Sequence, residues 1–415
     1  KYVAVTRPRR FGKTVMANMI ASYFGKGADS HKEFDTLKAA RQPWYKKHLN
    51  QHNVIYISFN ETPSVCNSYE VYIKSFIKGL LIDLIKAYPE AEIEKDDDPW
   101  YALKKIYEYC NQEKFIFILD EWDYIYHQRF ATDADKDNFT KFLSNLLKDK
   151  AYVELAYMTG ILPISKYSSG SELNMFCEYT MVTEEKFSEY FGFTDKEVDD
   201  LYKRYQKKHI AGKKITREGL RAWYDGYHTK SGERVYNPRS VVLALQNNNL
   251  GNYWTSSGPY DELFYYIGAN VDSVKEDVGL LLSDIAVPAR VREYAATSME
   301  LKTRDEIFSA MVVYGFLNYE NGCVAIPNKE LKDKFAEMAE KESSLGTVYN
   351  LVRESGRMLA ATKAGDTKTM TELLSFVHNT ESPLLLYNNE AELASIIKLV
   401  YLQARDYYHI EREDK

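Results

Sequence analysis

Three consecutive residues near the N-terminus have the types and spacing needed to hold a polyphosphate. Gly12, Lys13 and Thr14 follow an apolar run at residues 2–5 and precede a predicted helix at residues 15–24. Backbone N–H groups at the start of a helix attract anions, and a glycine lets the backbone approach a phosphate closely. Lys13 would reach the β- and γ-phosphates of a nucleotide, and the Thr14 hydroxyl would bind Mg²⁺. The pattern therefore predicts a phosphate-binding loop, or P-loop.

The same loop departs from the usual pattern at its start. Arg7 occupies the position of the first glycine, and Pro8 stiffens the chain beside it. Gly-Lys-Thr by itself would also suit the start of a surface helix, so the interpretation depends on context. The other residues of the loop region with predicted nucleotide contacts are Arg9, Arg10, Phe11 and Val15.

A second motif supplies that context. Five consecutive apolar residues at 115–119 predict a fully buried parallel strand, and Asp120 and Glu121 follow it directly. This is a Walker B pattern. Asp120 would hold Mg²⁺, and Glu121 would polarise a water molecule against the γ-phosphate. The two motifs together predict nucleotide binding.

The elements between the motifs predict how these side chains are positioned. Strands alternate with helices, which favours an α/β fold with a parallel sheet and helices on both faces. Ligands bind at the carboxyl ends of such strands, where Lys13, Asp120 and Thr159 fall. Thr159 would sense the γ-phosphate, or it is an ordinary hydroxyl at a strand end. The further predicted elements are strands at residues 54–59 and 152–160 and helices at residues 68–88, 100–109 and 133–147.

Length and composition limit the protein class. A chain of 415 residues is too long for one core and predicts two or three domains. No apolar stretch is long enough to span a bilayer and no signal peptide is recognisable, which argues against a membrane protein. The net charge of -6 argues against a protein that binds polyanions by bulk charge. The four cysteines have no paired spacing, which favours a reducing cytoplasm.

Beyond about residue 165 the pattern is mainly helical. A helix at residues 304–314 precedes two short apolar runs joined by Asn321 and Gly322, the strongest short hairpin signal. Helix and hairpin together predict a winged-helix-like unit, and its few basic residues argue against a wing that grips phosphates. The aromatic run at residues 223–227 is interpreted as packing around a turn, with a binding motif as the alternative.

Several of these segments resemble one known family. RPRRFGKT at residues 7–14 and LDEWD at residues 119–123 are similar to signature segments of AAA-ATPase-like proteins that carry a C-terminal nuclease-like domain of the PD-(D/E)XK type. In that family an arginine at position 7 is usual. Further similar segments are TGIL at 159–162, FT at 193–194 with EV at 197–198, WYDGY at 223–227, YNPRS at 236–240, YW at 253–254 with SG at 257–258, and IPNKE at 326–330.

The resemblance implies a domain organisation. Residues 1–168 would form the P-loop ATPase domain, residues 169–335 a helical and winged-helix-like lid region, and residues 336–415 a helical connector leading into a truncated nuclease-like domain. Asn389 and Glu390 resemble the first acidic position of that domain, whose other metal-binding residues are expected beyond Lys415. The family usually has a further segment before the P-loop strand. No nuclease activity is therefore assigned to this chain.

The predicted activity is Mg²⁺-dependent ATP hydrolysis, with adenine implied by the resemblance alone. Lys13, Glu121 and Thr159 are the predicted catalytic residues, and Thr14 and Asp120 the metal ligands. The alternatives are a nucleotide-dependent switch with little turnover and a scaffold with a vestigial loop. DNA or a protein, bound through the C-terminal part, and a second copy of the chain are candidate partners. Candidate arginine fingers are Arg9, Arg10 and Arg129, with Lys166 of similar standing.

Overall fold

The computed structural model describes residues 1–164, 172–181, 186–208, 212–254, 271–291, 303–341, 343–345, 347–379, 390–406 and 408. The chain divides into two units, Lys1–Phe191 and Gly192–Lys415. The domain limits at residues 168 and 335 stay predictions. Of the residues singled out above, Lys166, Ser257, Gly258 and Asn389 lie outside the described residues.

The first unit is built on a five-stranded parallel sheet, as predicted. The strand order is β2-β3-β4-β1-β5, so β4 lies between the strand before the P-loop and the strand before Asp120. The edge strand β5 had no counterpart in the sequence prediction. The strands are β1 (Tyr2–Thr6), β2 (Asn53–Ser58), β3 (Phe115–Asp120), β4 (Val153–Gly160) and β5 (Cys177–Tyr179).

The four long helices of the first unit agree with the prediction to within two residues. Their ends have local causes: the Ser68 hydroxyl accepts from Val71 N at the start of α2, and Thr132 and Asp135 form a capping box at the start of α4. The helices are α1 (Lys13–Phe24), α2 (Tyr69–Ala87), α3 (Pro99–Tyr109) and α4 (Asp133–Leu147). Short helical turns lie at His31–Phe34, Lys38–Arg41, Tyr45–His48, Pro89–Ala91, Tyr124–His127 and Ser188–Tyr190.

Helices cover both faces of this sheet. All six residues of β3 are buried. Ile118 belongs to a cluster with Ala17 of α1, whereas Phe115 faces the other way and meets the ring of Tyr88, at the end of α2, at 5.9 Å. Burying a large apolar side chain contributes roughly 1.5–3 kcal/mol. The packed sheet therefore fixes where each strand ends.

In its described residues the second unit is mainly helical and contains two three-stranded sheets, with the orders β6-β8-β7 and β10-β11-β9. Its strands are β6 (Phe193–Thr194), β7 (Tyr227–His228), β8 (Arg234–Tyr236), β9 (Val287–Pro288), β10 (Asn318–Glu320) and β11 (Cys323–Ala325). Its helices are α5 (Asp195–Lys207), α6 (Arg217–Tyr224), α7 (Pro238–Asn247), α8 (Val271–Leu282), α9 (Arg304–Tyr314), α10 (Lys329–Lys341), α11 (Thr347–Ala364), α12 (Thr367–Asn379) and α13 (Glu390–Val400). Short helical turns lie at Ser343–Leu345 and Leu402–Asp406.

The predicted helix and hairpin in this unit are confirmed. α9 precedes the antiparallel pair β10 and β11, and β9 adds a third strand. Asn321 and Gly322 have φ of +51° and +80°, the left-handed pair that a two-residue hairpin turn requires. Across the described ranges no helix combines the length and apolarity that crossing a bilayer would require.

The aromatic run at residues 223–227 packs in the core of the second unit. Tyr224 is fully buried, and its hydroxyl donates to Gly251 O at 2.9 Å and accepts from Gly251 N at 3.0 Å. The Tyr227 hydroxyl donates to Gly315 O at 2.8 Å. Packing around a turn accounts for these rings.

A buried carboxylate also ties this unit together. Glu330, at the start of α10, is 1% exposed. It accepts hydrogen bonds from the backbone N–H groups of Tyr253 and Trp254 at 2.6 and 2.5 Å, and from the Ser240 hydroxyl at 2.9 Å. Burial raises the pKa of Glu330 to about 7, although these donors act in the opposite direction.

Candidate functional site

The loop at residues 7–12 joins β1 to the N-terminus of α1. Gly12, its last residue, has φ +89° and ψ 14°, a left-handed conformation that favours glycine. Gly12 has no side chain to cap the helix, and the first turn of α1 contains no acidic residue. The first-turn N–H groups and the helix dipole therefore favour an anionic ligand at this end.

Lys13 begins α1, and its side chain turns back into the loop. Its Nζ donates to the backbone oxygens of Arg7 and Pro8, both at 2.9 Å. Burial lowers the pKa of Lys13 to about 8, although the charges of Asp123 and Glu121 act in the opposite direction. The lysine thus interacts electrostatically with the carboxylates that follow β3.

Arg7, at the position of the first P-loop glycine, anchors the start of the loop. Its side chain is buried, and its Nη1 donates to Thr6 O and Tyr179 O, both at 2.8 Å. Its guanidinium carbon lies 5.0 Å from the ring centroid of Phe191, a cation–π distance. These contacts hold the loop against β5, so the Arg7 side chain has a structural role.

The remaining loop residues lie in different surroundings. Arg9 and Arg10 are half-buried, and Arg10 has φ +70°. Phe11 is buried in the core, so only its backbone is available to a ligand. Thr14 and Val15 are exposed on the first turn of α1. Contacts of these five residues with a nucleotide stay predictions.

Asp120, at the end of β3, is held by two hydroxyl groups. Thr159 Oγ1 donates to Asp120 Oδ1, and Tyr56 OH donates to Oδ2 at 3.3 Å. Ser58 is the register partner of Asp120 on β2. Asp120 and Thr159, which the sequence placed at the carboxyl ends of two strands, thus lie side by side.

Glu121 is placed by an unusual backbone conformation. Its φ of +53° is uncommon for a residue with a side chain, and such strain costs roughly 1–3 kcal/mol. Burial raises the pKa of Glu121, and the charge of Asp120 raises it further. The Asn60 side chain forms a hydrogen bond with Glu121 and accepts another from Ser58 Oγ at 2.8 Å.

Asp123 is a buried carboxylate in the turn that follows. Its Oδ2 accepts from the backbone N–H groups of Ile161 and Leu162 at 2.9 and 2.8 Å and lies 3.7 Å from His127 Nε2. Burial by itself would raise the pKa of Asp123, but the imidazole and the two amides outweigh it and lower this pKa. The carboxylate is thus held in its ionised form.

Three residues of this site had no predicted role: Tyr56, Asn60 and Asp123. Asp123 lies within the LDEWD segment, so an acid three residues after Asp120 was a usable signal. Asn60 follows the end of β2, where polar residues of a parallel sheet reach the ligand edge. Tyr56 carried no signal, because a tyrosine within a strand is usually core. Arg129 is exposed in the loop before α4, and its role as a finger stays a prediction.

The oxygen donors at the sheet edge fit a magnesium–nucleotide complex. Mg²⁺ prefers hard oxygen ligands and is usually held by one or two carboxylates, water and substrate phosphates. The carboxylate of Asp120 and the hydroxyl of Thr14 suit that chemistry. No group of three or more His, Cys, Asp or Glu side chains in the described part of the chain is arranged to hold a metal ion. A metal bound partly by phosphates does not require such a group.

The comparisons with known proteins agree with this geometry. Residues 1–169 match a family model described as "Predicted AAA-ATPase". The first unit therefore combines a parallel sheet of the P-loop ATPase type with an ATPase family match.

Other matches are more distant. An uncharacterized protein from the vnfD 5' region of Azotobacter chroococcum mcd 1 is 24% identical over 270 residues, which cover 61% of this chain and 47% of the relative. The chain thus spans about half the length of that curated relative. The Walker-type ATPase PABY2304 of Pyrococcus abyssi has a TM-score of 0.43 at 9% identity, covering 80% of this chain and 90% of its own. ORC2 of Aeropyrum pernix, solved in ADPNP–ADP complexes, has a TM-score of 0.39 at 9% identity, covering 81% and 86%.

Proposed function

We propose that this chain binds ATP together with Mg²⁺ and hydrolyses it. Lys13 and the first-turn amides of α1 would hold the phosphates, and Thr14 and Asp120 would hold the metal ion. Glu121 would orient the attacking water, and Thr159 would contact the γ-phosphate side of the site. The preference for adenine rests on the family resemblance.

The proposal depends mainly on the electrostatic cluster at the carboxyl edge of the sheet. Lys13 lies beyond β1, and Glu121 lies directly after β3. The charge of Glu121 acts to raise the pKa of Lys13, and the charge of Lys13 acts to lower the pKa of Glu121. Thr159, at the end of β4, hydrogen bonds to Asp120. Three strand ends thus contribute a cation, two carboxylates and a hydroxyl, the set of groups that transfer of a phosphoryl group to water uses.

A second candidate is a nucleotide-dependent switch with little turnover. The hydrogen bond between Asn60 and Glu121 favours it, because a carboxylate engaged by an amide is a poorer base for water. Turnover would then require a partner that displaces Asn60. Bound ATP would still raise the melting temperature, since a ligand that binds only the folded state stabilises it.

We extend the proposal to what the nucleotide state would control. The family resemblance supports coupling to an attached nuclease-like domain, or to DNA or a protein bound through the C-terminal part, in a monomer or a homo-oligomer. A cytoplasmic location is proposed from the cysteines: Cys66, Cys110, Cys177 and Cys323 are all free thiols, as suits a reducing compartment.

Phosphate release from ATP with Mg²⁺, with and without DNA, tests the proposed function. We expect Lys13→Ala to lose release by roughly 100-fold or more, because removing a group that stabilises developing charge typically costs that much. Glu121→Gln should slow release while retaining ATP binding. Lys26→Ala, at an exposed lysine just after α1, is the matched control and should behave as wild type.

The outcomes separate the candidates. Release that depends on Lys13 supports the ATPase, and stimulation by DNA supports a nucleic-acid partner. A silent wild type whose melting temperature still rises with ATP favours the switch. A wild type with neither release nor a thermal shift would contradict both.

A further inference from the structure

Hydrogen bonds join the turn that follows β3 to the end of β4 and the turn after it. Asp123 accepts from Ile161 N and Leu162 N, as described above. Trp122 N donates to Thr159 O at 3.0 Å, and the Trp122 indole N–H donates to Leu162 O at 3.2 Å. Four hydrogen bonds therefore connect two segments that are distant in sequence.

Residues 121–123, together with residues 159–162 at the end of β4 and in the turn after it, are named here the edge clamp. The clamp is tightly packed at Gly160, where a Cβ would lie 2.4 Å from the indole and 2.7 Å from Asp123 Oδ1. Gly160 O also accepts from Arg7 N at 3.2 Å, which joins the clamp to the phosphate-binding loop. The clamp therefore connects the ends of β3 and β4 with the start of the loop.

We propose that Asp123 is a positioning residue of the nucleotide site, which holds the Thr159 strand end in the geometry that distinguishes a triphosphate from a diphosphate. This inference rests on the proposed function and specifies which part of the site recognises the terminal phosphate. Asp123 acts through Thr159 and the backbone of residues 160–162.

The chemistry of Asp123 supports a role beyond packing. A buried carboxylate is costly unless it is paired, and neutral side chains can also accept backbone N–H groups. Asp123 is 3% exposed, and among the carboxylates it attracts the charge of Lys13 most strongly. A negative charge here acts on the phosphate-binding lysine while its oxygen fixes the neighbouring turn. Both effects reach the region where the terminal phosphate would lie.

The position of the clamp explains why it would affect ATP more than ADP. The loop and the N-terminus of α1 contact the phosphates that both nucleotides share. Asp120, which Thr159 contacts, would hold the metal ion, and that ion would neutralise charge on the phosphates next to the reacting one. If the end of β4 at Thr159 became less ordered, contacts with the terminal phosphate would be lost. ADP lacks that phosphate, so its binding would change less.

The test compares the affinities of ATP and ADP, both with Mg²⁺, for wild type and Asp123→Asn in the full chain. Asparagine keeps one acceptor oxygen and removes the charge. We expect the Kd for ATP to rise about 10-fold and the Kd for ADP by less than about 3-fold, because the Thr159 strand end would lose about one hydrogen bond to the terminal phosphate, which ADP lacks. Adding Thr159→Val to Asp123→Asn should weaken ATP binding little further, because both changes disable the same strand end.

Asp137→Asn is the matched control, because it makes the same substitution at an exposed position of α4. It should leave both affinities unchanged. Equal weakening of ATP and ADP by Asp123→Asn would show a purely structural role and overturn the inference, as would affinities equal to those of the control. A wild type that binds neither nucleotide would instead overturn the proposed function.

Hydrogen exchange on the wild type tests the same inference without a variant, should Asp123→Asn fail to fold. The amides of Ile161 and Leu162 donate to Asp123, so their exchange reports on the clamp. We expect Mg²⁺ with a non-hydrolysable ATP analogue to slow their exchange more than Mg²⁺ with ADP does. Equal protection by the two nucleotides would overturn the inference.

Discussion

Asp123 in the first unit and Glu330 in the second are alike in burial and in their backbone hydrogen bonds, but their pKa values shift in opposite directions. Both are almost completely buried, at 3% and 1% exposure. Each accepts hydrogen bonds from two consecutive backbone N–H groups. The pKa of Asp123 is nevertheless lowered, whereas that of Glu330 is raised to about 7.

The difference lies in the neighbours that carry or can carry charge. Burial acts to raise both pKa values. The imidazole of His127 lies beside Asp123 and opposes this effect, whereas the described hydrogen-bond donors to Glu330 are a serine hydroxyl and backbone amides. At Glu330 these neutral donors offset the loss of hydration only in part, so its pKa stays raised. An ionised group at the sheet edge can act on a ligand. Glu330 instead stabilises the second unit by accepting hydrogen bonds from Ser240, Tyr253 and Trp254.

The largest effect is expected from Glu330→Ala. The substitution leaves two backbone N–H groups and the Ser240 hydroxyl without their acceptor in a buried place, and should lower the free energy of unfolding by about 4 kcal/mol. Urea denaturation measures the change. Glu340→Ala, at an exposed position of the same helix, is the control. A loss of unfolding free energy no larger than that of the control would show that Glu330 does not stabilise the second unit.

Glu330→Gln should remove a pH dependence of the folding stability that has the opposite sign to the contribution of Asp123. Because the pKa of Glu330 rises from 4.5 to about 7 on folding, the folded state binds the proton more tightly. Stability should therefore fall as pH rises from 4.5 through 7, by about 3 kcal/mol in total, and level off once Glu330 is fully ionised in the folded state. Urea denaturation at several pH values measures the difference between wild type and variant.

Glutamine does not titrate, so only the wild type should show this slope. Asp123→Asn provides the contrast. The pKa of Asp123 is lowered from 3.8, so its contribution to stability is lost only as pH falls below that value. Parallel pH curves for wild type and Glu330→Gln would contradict the assignment of a raised pKa.

A smaller effect is expected from Gly160→Ala. The new methyl group would meet the indole of Trp122 and the carboxylate of Asp123, and should cost about 2 kcal/mol, as overpacking of a tight site typically does. Thermal or urea denaturation measures the loss, and ATP binding should weaken with it. Gly79→Ala is the control, because it adds the same methyl group in open space on α2 and should stabilise by somewhat under 1 kcal/mol. Equal effects at the two glycines would contradict a tight clamp.

Much of the fold could be predicted because its signals are local. The run at residues 115–119 is apolar throughout and forms β3, and Asn321 with Gly322 forms the turn that this pair favours. The short strand β5 was missed. Three residues are too few for a clear alternation pattern, and the strand is held by pairing with β1.

The candidate site could be predicted only in part, because some of its residues belong to local motifs and others meet only through contacts between remote segments. Lys13, Thr14, Asp120 and Glu121 belong to contiguous motifs whose spacing carries the chemistry. Asn60 hydrogen bonds to a residue that is remote in sequence, and no local pattern singles it out.

The amino-acid sequence alone predicts the loop at residues 7–14, the acidic end of β3 and the parallel α/β arrangement, because each follows from residue type and periodicity within a short segment. The three-dimensional structure is needed to show that β4 lies between β1 and β3, which brings Thr159 to Asp120. It also shows that Asp123 accepts from the backbone of Ile161 and Leu162, and that a serine hydroxyl and backbone amides donate to Glu330. Strand order and the balance of hydration against neighbouring charges depend on contacts between distant segments.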